Sequence, residues 1–382
     1  NLTSCSELMF QKYDTTKCLP EEIAALFTDE LHTQLKSGTT QEQINALRKR
    51  LDSDEKNYYL YVAALADELA LAEELLNKEK GSSVVIEGIE SRNPVKDNEY
   101  GQGGSLLQPL GVAAEAGSEI TIYATGIPEG QKVEVTATQF NAEANAWSAK
   151  AGALVNGRNV LTIPKIGSQN TPRGGSLYIT YSGAGAENIK LHVRRATDIP
   201  MLNLTNWYTM DDAARNSAIK AYTEELADYV KVGIQDNDWK NVTEISTPTV
   251  LLSLAANAAN SGLGNGDKVK QLTNSVLAWE DLMHICKTTQ GIDNTYDKND
   301  MRTRQNIRCM QMFSGAFMYA AGSHIGIGYG SCPGMVGGTP IAQLDQNATA
   351  NNLFGWGIAH EIGHNMDKLG KAEITNNIYS IM

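Results

Sequence analysis

Long apolar runs and positive charge are both scarce in this sequence. No stretch of about 18 or more apolar residues occurs, so we expect no transmembrane segment. Lys and Arg total 32 against 44 Asp and Glu, which gives a net charge of -12. An acidic surface repels phosphate backbones and anionic membranes, so nucleic acid is not an expected partner. No basic-then-apolar leader follows Asn1, and we therefore expect a mature chain or an expressed fragment.

Cysteine is also sparse, with five residues and no CxxC pair, so a cysteine-based zinc site is not expected. Cys5 and Cys18 lie close enough in sequence to close a short disulfide loop if the protein is exported. For Cys286, Cys309 and Cys332 we expect buried free thiols. Cysteine usage alone does not fix the compartment.

The chain has 382 residues, 42% of them hydrophobic and 20% charged, which is typical of a folded globular protein. This length is too great for one ordinary core. The hydrophobic pattern changes along the chain and predicts an α+β multidomain protein. We expect a helical N-terminal domain (1–85), a linker (86–105), an antiparallel β-sandwich (106–203) and a mainly helical C-terminal domain (204–382).

Three helical patterns define the N-terminal domain. Pro20 followed by Glu21 and Glu22 is typical of a first helical turn, because proline fits that position and acids suit the helix dipole. Thr40 predicts the cap of a second helix. Apolar residues recur at helical spacing over 58–77. These patterns predict a small bundle or a helical hairpin, with no chemical site.

The middle of the chain changes from a helical to a strand pattern. Residues 78–104 are polar and contain one possible strand, 83–87. From 107 to 202, apolar residues alternate with a period of two, and Gly and Pro turns follow every 10 to 20 residues. This spacing indicates an antiparallel β-sandwich. Such sandwiches either bind glycans or serve as structure, and both interpretations stay open.

Helical patterns return after Trp207. They predict helices over 211–230, 250–259 and 268–287. The apolar stretch 305–321 fits either a strand and turn or a buried helix, and the glycine-rich stretch that follows is typical of loop or edge strand.

One pentapeptide of this domain carries chemistry, His360-Glu361-Ile362-Gly363-His364. Residues four apart on a helix project from nearly one line, so both imidazoles can approach one metal at about 2.0–2.1 Å. We expect the helix to begin at 353 behind the caps Asn351 and Asn352, and to end at Gly370.

Glu361 is the predicted catalytic residue. It is one step round the helix from His360 and can reach a water in the open metal position. Zinc lowers the pKa of such a water toward neutrality, and a carboxylate beside it can take the proton and deliver it to a leaving amine. These two functions together hydrolyse a peptide bond.

A catalytic zinc needs three protein ligands and a water. We prefer Glu373 as the third ligand, on a second helix over 372–381, because a neighbouring element approaches from a new direction. Asp367 crowds the side of the histidines and is better suited as an outer partner or helix cap. His324 and Asp345 are weaker candidates. Metal-bound histidines also need acceptors for their second ring N–H, and Asn376 and Asn377 are candidates.

The motif, eight intervening residues and Glu373 together resemble the enhancin-like, mucin-directed zinc metallopeptidases, which are gluzincins. The similarity extends upstream to 356–365, to 310–322 and to parts of the sandwich, and so covers 107–382. The resemblance implies a zincin-type catalytic domain over 204–382, with His360, His364 and Glu373 on Zn²⁺ and Glu361 as general base.

The family also implies a secreted or surface-attached bacterial enzyme that cleaves heavily O-glycosylated proteins such as mucins. Domains of this family continue beyond their glutamate ligand, whereas this sequence stops nine residues after Glu373. We therefore expect the catalytic domain to be truncated here. The alternative is a glycan-binding surface protein or adhesin whose sandwich binds sugar and whose zincin-like helix is not catalytic. The intact Glu361 favours the enzyme.

Overall fold

The computed structural model of the protein describes residues 18–81, 83–92, 104–140, 147–167, 173–290, 304–312, 315–344, 353–354, 357–367 and 369–382. Within these ranges, no helix combines the length and the apolar character needed to cross a bilayer. Cys18 is disulfide-bonded, and the predicted partner Cys5 lies outside the described residues. The prediction of buried free thiols at Cys286, Cys309 and Cys332 is confirmed.

The N-terminal segment contains three helices, which are α1 (Leu19–Ala24), α2 (Gln41–Leu51) and α3 (Val62–Asn77). The predicted cap of α2 is confirmed, because Thr40 accepts from the backbone N–H of Gln43 and the Gln43 side chain accepts from that of Thr40. A short 3₁₀-helix, Asp54–Tyr58, precedes α3. Apolar side chains of all three α-helices form one small core.

Two antiparallel sheets form the predicted sandwich. Their strands are β1 (Val84–Glu87), β2 (Gln108–Glu115), β3 (Glu119–Thr125), β4 (Val133–Thr138), β5 (Ser148–Leu154), β6 (Gly157–Thr162), β7 (Gly174–Thr180), β8 (Lys190–Arg194) and β9 (Thr197–Asp198). One sheet has the order β1-β8-β3-β6 and the other the order β5-β4-β7-β2-β9. Alternate side chains of both sheets fill one core. Strand β1 pairs with β8, so 84–87 pack as part of the sandwich and not as helical segment or linker.

Helix α3 is fixed to the sandwich by buried charge. Arg194 on β8 forms ion pairs with Asp67 and Glu74 of the helix at 2.9 and 2.8 Å. Glu68, which is 1% exposed, contacts Arg158 at 3.3 Å and accepts from the hydroxyl of Tyr123. Burial raises the pKa of Glu68 to about 7. The N-terminal helices therefore pack on the sandwich through paired polar groups.

The C-terminal unit contains a six-stranded mixed sheet that the sequence does not predict. Its strands are β10 (Met201–Asn203), β11 (Thr243–Ser246), β12 (Val250–Leu254), β13 (Gln305–Cys309), β14 (Met318–Ala320) and β15 (Ile325–Ile327). The order is β10-β11-β12-β13-β15-β14, with β14 antiparallel to β15 at one edge. The helix predicted over 250–259 is wrong for its first half, because Val250–Leu254 is a fully buried strand with no exposed face.

Helices cover this sheet, and they are α4 (Asp212–Val230), α5 (Ala256–Gly262), α6 (Lys268–Thr289), α7 (Ile358–Met366) and α8 (Ile378–Ile381). Further 3₁₀-helices are Ala186–Asn188, Trp207–Thr209, Tyr329–Val336, Ile341–Gln343 and Thr375–Asn377. The helices and the sheet share the largest apolar core of the described chain. The prediction of a mainly helical C-terminal domain is therefore incomplete, because the helices lie on a sheet.

The sandwich and the C-terminal unit meet through buried polar contacts. The hydroxyl of Tyr178 on β7 donates to Glu244 on β11 and lies 3.0 Å from Ser253 on β12. Arg308 on β13 donates to that hydroxyl at 3.0 Å, and its guanidinium lies 4.7 Å from the ring centre of Trp147. The sandwich is thus packed directly against the sheet that supports the candidate site.

Candidate metal centre

Helix α7 carries the predicted pentapeptide and is shorter than predicted. It spans nine residues, Ile358–Met366, where we expected 353–370. The residue before the helix, Gly357, has a φ of 92°, and the residue after it, Asp367, has an extended backbone. Asp367 turns the chain away, because its Oδ1 accepts from the backbone N–H of Leu369 at 3.0 Å. The predicted caps Asn351 and Asn352 lie outside the described residues, and Gly370 lies in the loop beyond the helix.

One face of α7 is buried in the core of the C-terminal unit. Ile358, Ile362 and Met366 are each at most 1% exposed. Gly363 is buried for a different reason, since a Cβ built there would lie 2.4 Å from the carbonyl oxygen of Asn376. Because glycine has no side chain, the backbone of the turn at Asn376 can pack directly against α7, and the ring of Tyr379 lies beside it.

The structure brings His360, His364 and Glu373 together. The Nε2 atoms of His360 and His364 are 3.2 Å apart. Oε2 of Glu373 lies 3.2 Å from Nε2 of His360, and Oε1 of Glu373 lies 3.2 Å from Nε2 of His364. Among the described residues, this trio is the one group of three His, Cys, Asp or Glu whose ligand atoms come within 4.8 Å of one another. The i, i+4 spacing aligns the rings as expected, with 4.7 Å between their centres.

These distances fit a shared zinc ion. Ligand bonds of about 2.0–2.1 Å in a tetrahedron place neighbouring donor atoms about 3.3 Å apart. Two imidazole nitrogens and a carboxylate oxygen are also the donors of many catalytic zinc sites. Three protein donors leave a fourth position open to the cavity, which is what hydrolytic zinc chemistry requires.

Glu373 reaches this position from a turn and not from a helix. The predicted helix over 372–381 is wrong for its first three residues, which form a turn, whereas Thr375–Asn377 is a 3₁₀-helix and Ile378–Ile381 is α8. Glu373 has a φ of 64°, the left-handed region that L-residues rarely adopt. Its side chain is 70% exposed. The turn aims an exposed carboxylate back at α7.

Two of the predicted outer residues, Asn376 and Asn377, lie against the histidine rings, but of these two only Asn377 offers the predicted oxygen to a ring nitrogen. The side-chain oxygen of Asn377 is 2.5 Å from Nδ1 of His360, so that ring nitrogen donates and Nε2 keeps its lone pair. Asn376 is fully buried, and its Nδ2 lies 3.1 Å from Nε2 of His364. Asn377 also donates to the backbone carbonyl of Glu373 at 2.8 Å. Its side chain therefore connects the turn that carries Glu373 to the ring of His360.

Asp367 does not approach the trio as a ligand. Its Oδ2 accepts from the hydroxyl of Thr375, so it joins the end of α7 to the turn after Glu373. His324 is buried elsewhere, with Nε2 at 3.0 Å from the hydroxyl of Tyr319. Burial, aided by Arg308, lowers the pKa of His324 to about 3. Asp345 lies outside the described residues.

Glu361 lines a cavity of about 520 Å³ together with the three donor residues. Burial is the main cause that raises the pKa of its carboxyl, Glu373 adds to the rise, and His360 and His364 oppose it. The other walls come from edge strand β14, the turn after it and Asn365. The stretch 310–322 is similar to the family, but no local pattern in it indicates that β14 borders the site.

Comparison with known proteins finds a similar family and similar folds. A family model described as peptidase M60, enhancin and enhancin-like matches residues 233–382. No curated protein sequence matches the chain.

Several solved structures are similar to this chain. The ZmpB metallopeptidase from Clostridium perfringens has 23% identity and a TM-score of 0.59, over 78% of this chain and 56% of that one. The M60 catalytic domain of Clostridium perfringens ZmpC, in complex with the sialyl T antigen, has 26% identity and a TM-score of 0.58, over 78% and 55%. A metallopeptidase from Bacteroides thetaiotaomicron has 18% identity and a TM-score of 0.63, over 97% and 56%.

The chain thus spans a little over half the length of these structures, with a matching fold over 78% to 97% of its own length. Over residues 233–382 the chain is therefore similar to the peptidase M60, enhancin and enhancin-like family.

Proposed function

We propose that this protein is a zinc-dependent endopeptidase that hydrolyses peptide bonds in O-glycosylated, mucin-like proteins outside the cell. One observation carries the proposal. Two imidazole nitrogens and a carboxylate converge at about 3.2 Å, and a second carboxylate, that of Glu361, opens into the same cavity.

Three residues would hold the metal. His360 and His364 offer Nε2, and Glu373 offers a carboxylate oxygen from the opposite side. When bound, zinc polarises the scissile carbonyl and makes a water acidic enough to attack near neutral pH. Asn377 holds the ring of His360 in the tautomer that leaves Nε2 unprotonated.

Glu361 moves the proton. Its carboxylate takes a proton from the attacking water and returns it to the nitrogen of the leaving amine as the peptide bond breaks. The half-buried position suits this exchange, because burial raises the pKa of the carboxyl toward the working range of a proton shuttle. A site that only held a structural metal would have no use for this second carboxylate.

The substrate polypeptide lies along β14. This strand is at the edge of its sheet in the described structure and forms one wall of the cavity. Edge strands offer unpaired backbone groups to an extended peptide. The glycosylated nature of the substrate rests on similarity, since the related ZmpC domain was solved with the sialyl T antigen.

Replacement of Glu361 by glutamine tests the proposal. Glu361→Gln keeps the shape of the side chain and removes its basicity, so mucin cleavage by the zinc-loaded protein should fall by about 10²- to 10⁴-fold. Zinc content, measured by atomic emission after dialysis, should stay at one ion per chain. Chelation should abolish cleavage, and added zinc should restore it. Cleavage that survives both the substitution and chelation would contradict a metallopeptidase.

A further inference from the structure

Asn365 is a buried amide beside the metal centre that the proposed chemistry does not use. It follows His364 on α7, lines the cavity and is 5% exposed. Its Oδ1 accepts from the backbone N–H of Gly322 at 2.8 Å. Its Nδ2 donates to Oε1 of Gln305 on β13 at 3.0 Å. Both ends of the amide are therefore bonded, each to a different element.

Gly322 lies in the turn that joins β14 to β15. The turn is closed by two short backbone bonds, from Ala321 to the carbonyl of His324 at 2.9 Å and from Ser323 to that of Ala321 at 2.8 Å. Gly322 has a φ of 72°, which points its N–H away from the sheet ladder toward α7. The hydrogen bond from Gly322 to Asn365 thus connects the metal-bearing helix directly to the end of the edge strand.

We propose that Asn365 is a positioning residue that fixes the distance between the substrate strand β14 and the catalytic groups of α7. This inference rests on the proposed function, because it assigns the role of β14 in that reaction. The amide of Gln305 anchors Asn365 to the sheet, and Asn365 in turn holds Gly322. Asn365 therefore keeps β14 and Glu361 at a fixed separation across the cavity.

The chemistry of an amide suits this role. One side chain must accept from a backbone N–H and donate to a side-chain carbonyl in the same place. Leucine has nearly the same size but would leave Gly322 N–H and Gln305 Oε1 buried without these partners. The turn would then move toward water, and a shift of about 1 Å at a reacting group costs about a hundredfold in rate.

The test compares Asn365→Leu with Asn241→Leu in the zinc-loaded protein. Asn241 is a matched control: it is fully buried, accepts from the backbone N–H of Asn257 at 3.0 Å and donates to Oδ1 of Asn257 at 2.9 Å. It does not line the cavity. Three quantities are measured: zinc affinity, amide hydrogen exchange of 321–324, and kcat and KM on a mucin-derived glycopeptide.

We expect Asn365→Leu to bind zinc within about twofold of wild type, to exchange faster over 321–324, and to lose about 10- to 100-fold in kcat/KM. Asn365→Asp keeps an acceptor for Gly322 N–H, so it should exchange slowly and retain more activity than Asn365→Leu. Asn241→Leu should lose as much thermal stability as Asn365→Leu with wild-type kcat/KM and wild-type exchange at 321–324.

Three results would overturn the inference. They are unchanged exchange at 321–324 in Asn365→Leu, a kcat/KM equal to wild type, and a loss of zinc affinity that accounts for the whole loss of activity. Failure of the proposed function is a separate outcome, since it shows as cleavage by wild type that is insensitive to chelation and to Glu361→Gln. The exchange measurement needs no activity and reports on the tie in either case.

Discussion

Replacing Gly363 by alanine should weaken zinc binding although it improves the intrinsic helix propensity of α7. The Cβ of alanine would lie 2.4 Å from the carbonyl oxygen of Asn376 and 2.9 Å from the Tyr379 ring. Ordinary contacts begin at 3.4 Å, so the carbonyl must retreat by about 1 Å. Asn376 lies between Glu373 and α8 in the turn that supplies the third ligand. The retreat therefore pulls the Glu373 carboxylate and the Asn377 acceptor away from the histidine rings.

Two opposing free energies decide the size of the effect. Alanine favours a helix over glycine by about 1 kcal/mol. Overpacking of this kind costs about 1–3 kcal/mol, and rigid backbone on the other side of the contact favours the upper half of that range. If the turn moves to relieve the clash, the net cost of about 1–2 kcal/mol appears in metal binding as an increase of about 5- to 30-fold in Kd for zinc.

The assay is competition for zinc against a chromogenic chelator near neutral pH, with thermal unfolding measured in the presence and absence of metal. Gly330→Ala is the matched control, because its Cβ would meet nothing within 4 Å. Gly363→Ala should lose more of the zinc-dependent gain in Tm than the control does. If Gly363→Ala binds zinc as tightly as wild type, the close packing of the turn on α7 does not position the third ligand.

Two further predictions concern single contacts. Asn377→Ala removes the acceptor for Nδ1 of His360, so zinc affinity should fall about 10- to 100-fold in the same competition assay, and Asn377→Asp should restore most of it. His324 has a pKa of about 3 in the folded protein instead of its usual 6.5. As the pH falls below 6.5, this histidine becomes protonated in the unfolded chain but stays neutral in the folded chain. Its contribution to stability is therefore complete above that pH and is lost toward acid, by about 2 kcal/mol at pH 5. Urea unfolding should show that loss in wild type and a smaller one in His324→Gln, and equal losses in both proteins would contradict the assigned pKa.

The sequence predicts the part of the site that depends on local geometry. The histidines four residues apart on a helix need only the helical repeat to share a metal, and the structure places them as expected. The sequence indicates Glu373 as the third donor but predicts that it approaches from a helix. A left-handed residue followed by a 3₁₀-turn depends on what packs behind it, here the glycine at 363, and no periodic pattern shows such a contact.

The strands of the C-terminal sheet were missed for a related reason. They are three to five residues long, and several are buried on both faces, so they lack the alternation that identifies a strand. The run from Val250 into the following alanines reads as one apolar segment, although it contains a strand and then a helix. Strand β1 was predicted, but its pairing with β8 more than 100 residues later depends on long-range contacts.

The interface between Tyr178, Glu244 and Arg308 also has a consequence for how such proteins are built and inherited. Glu244 is fully buried, and burial raises the pKa of its carboxyl even though Tyr178, Ser253 and Arg308 surround it. A gene rearrangement that joined the C-terminal unit to a different neighbour would remove the tyrosine and leave a carboxylate and a guanidinium at the cut surface. The sandwich and the C-terminal unit should therefore be exchanged between proteins as one cassette.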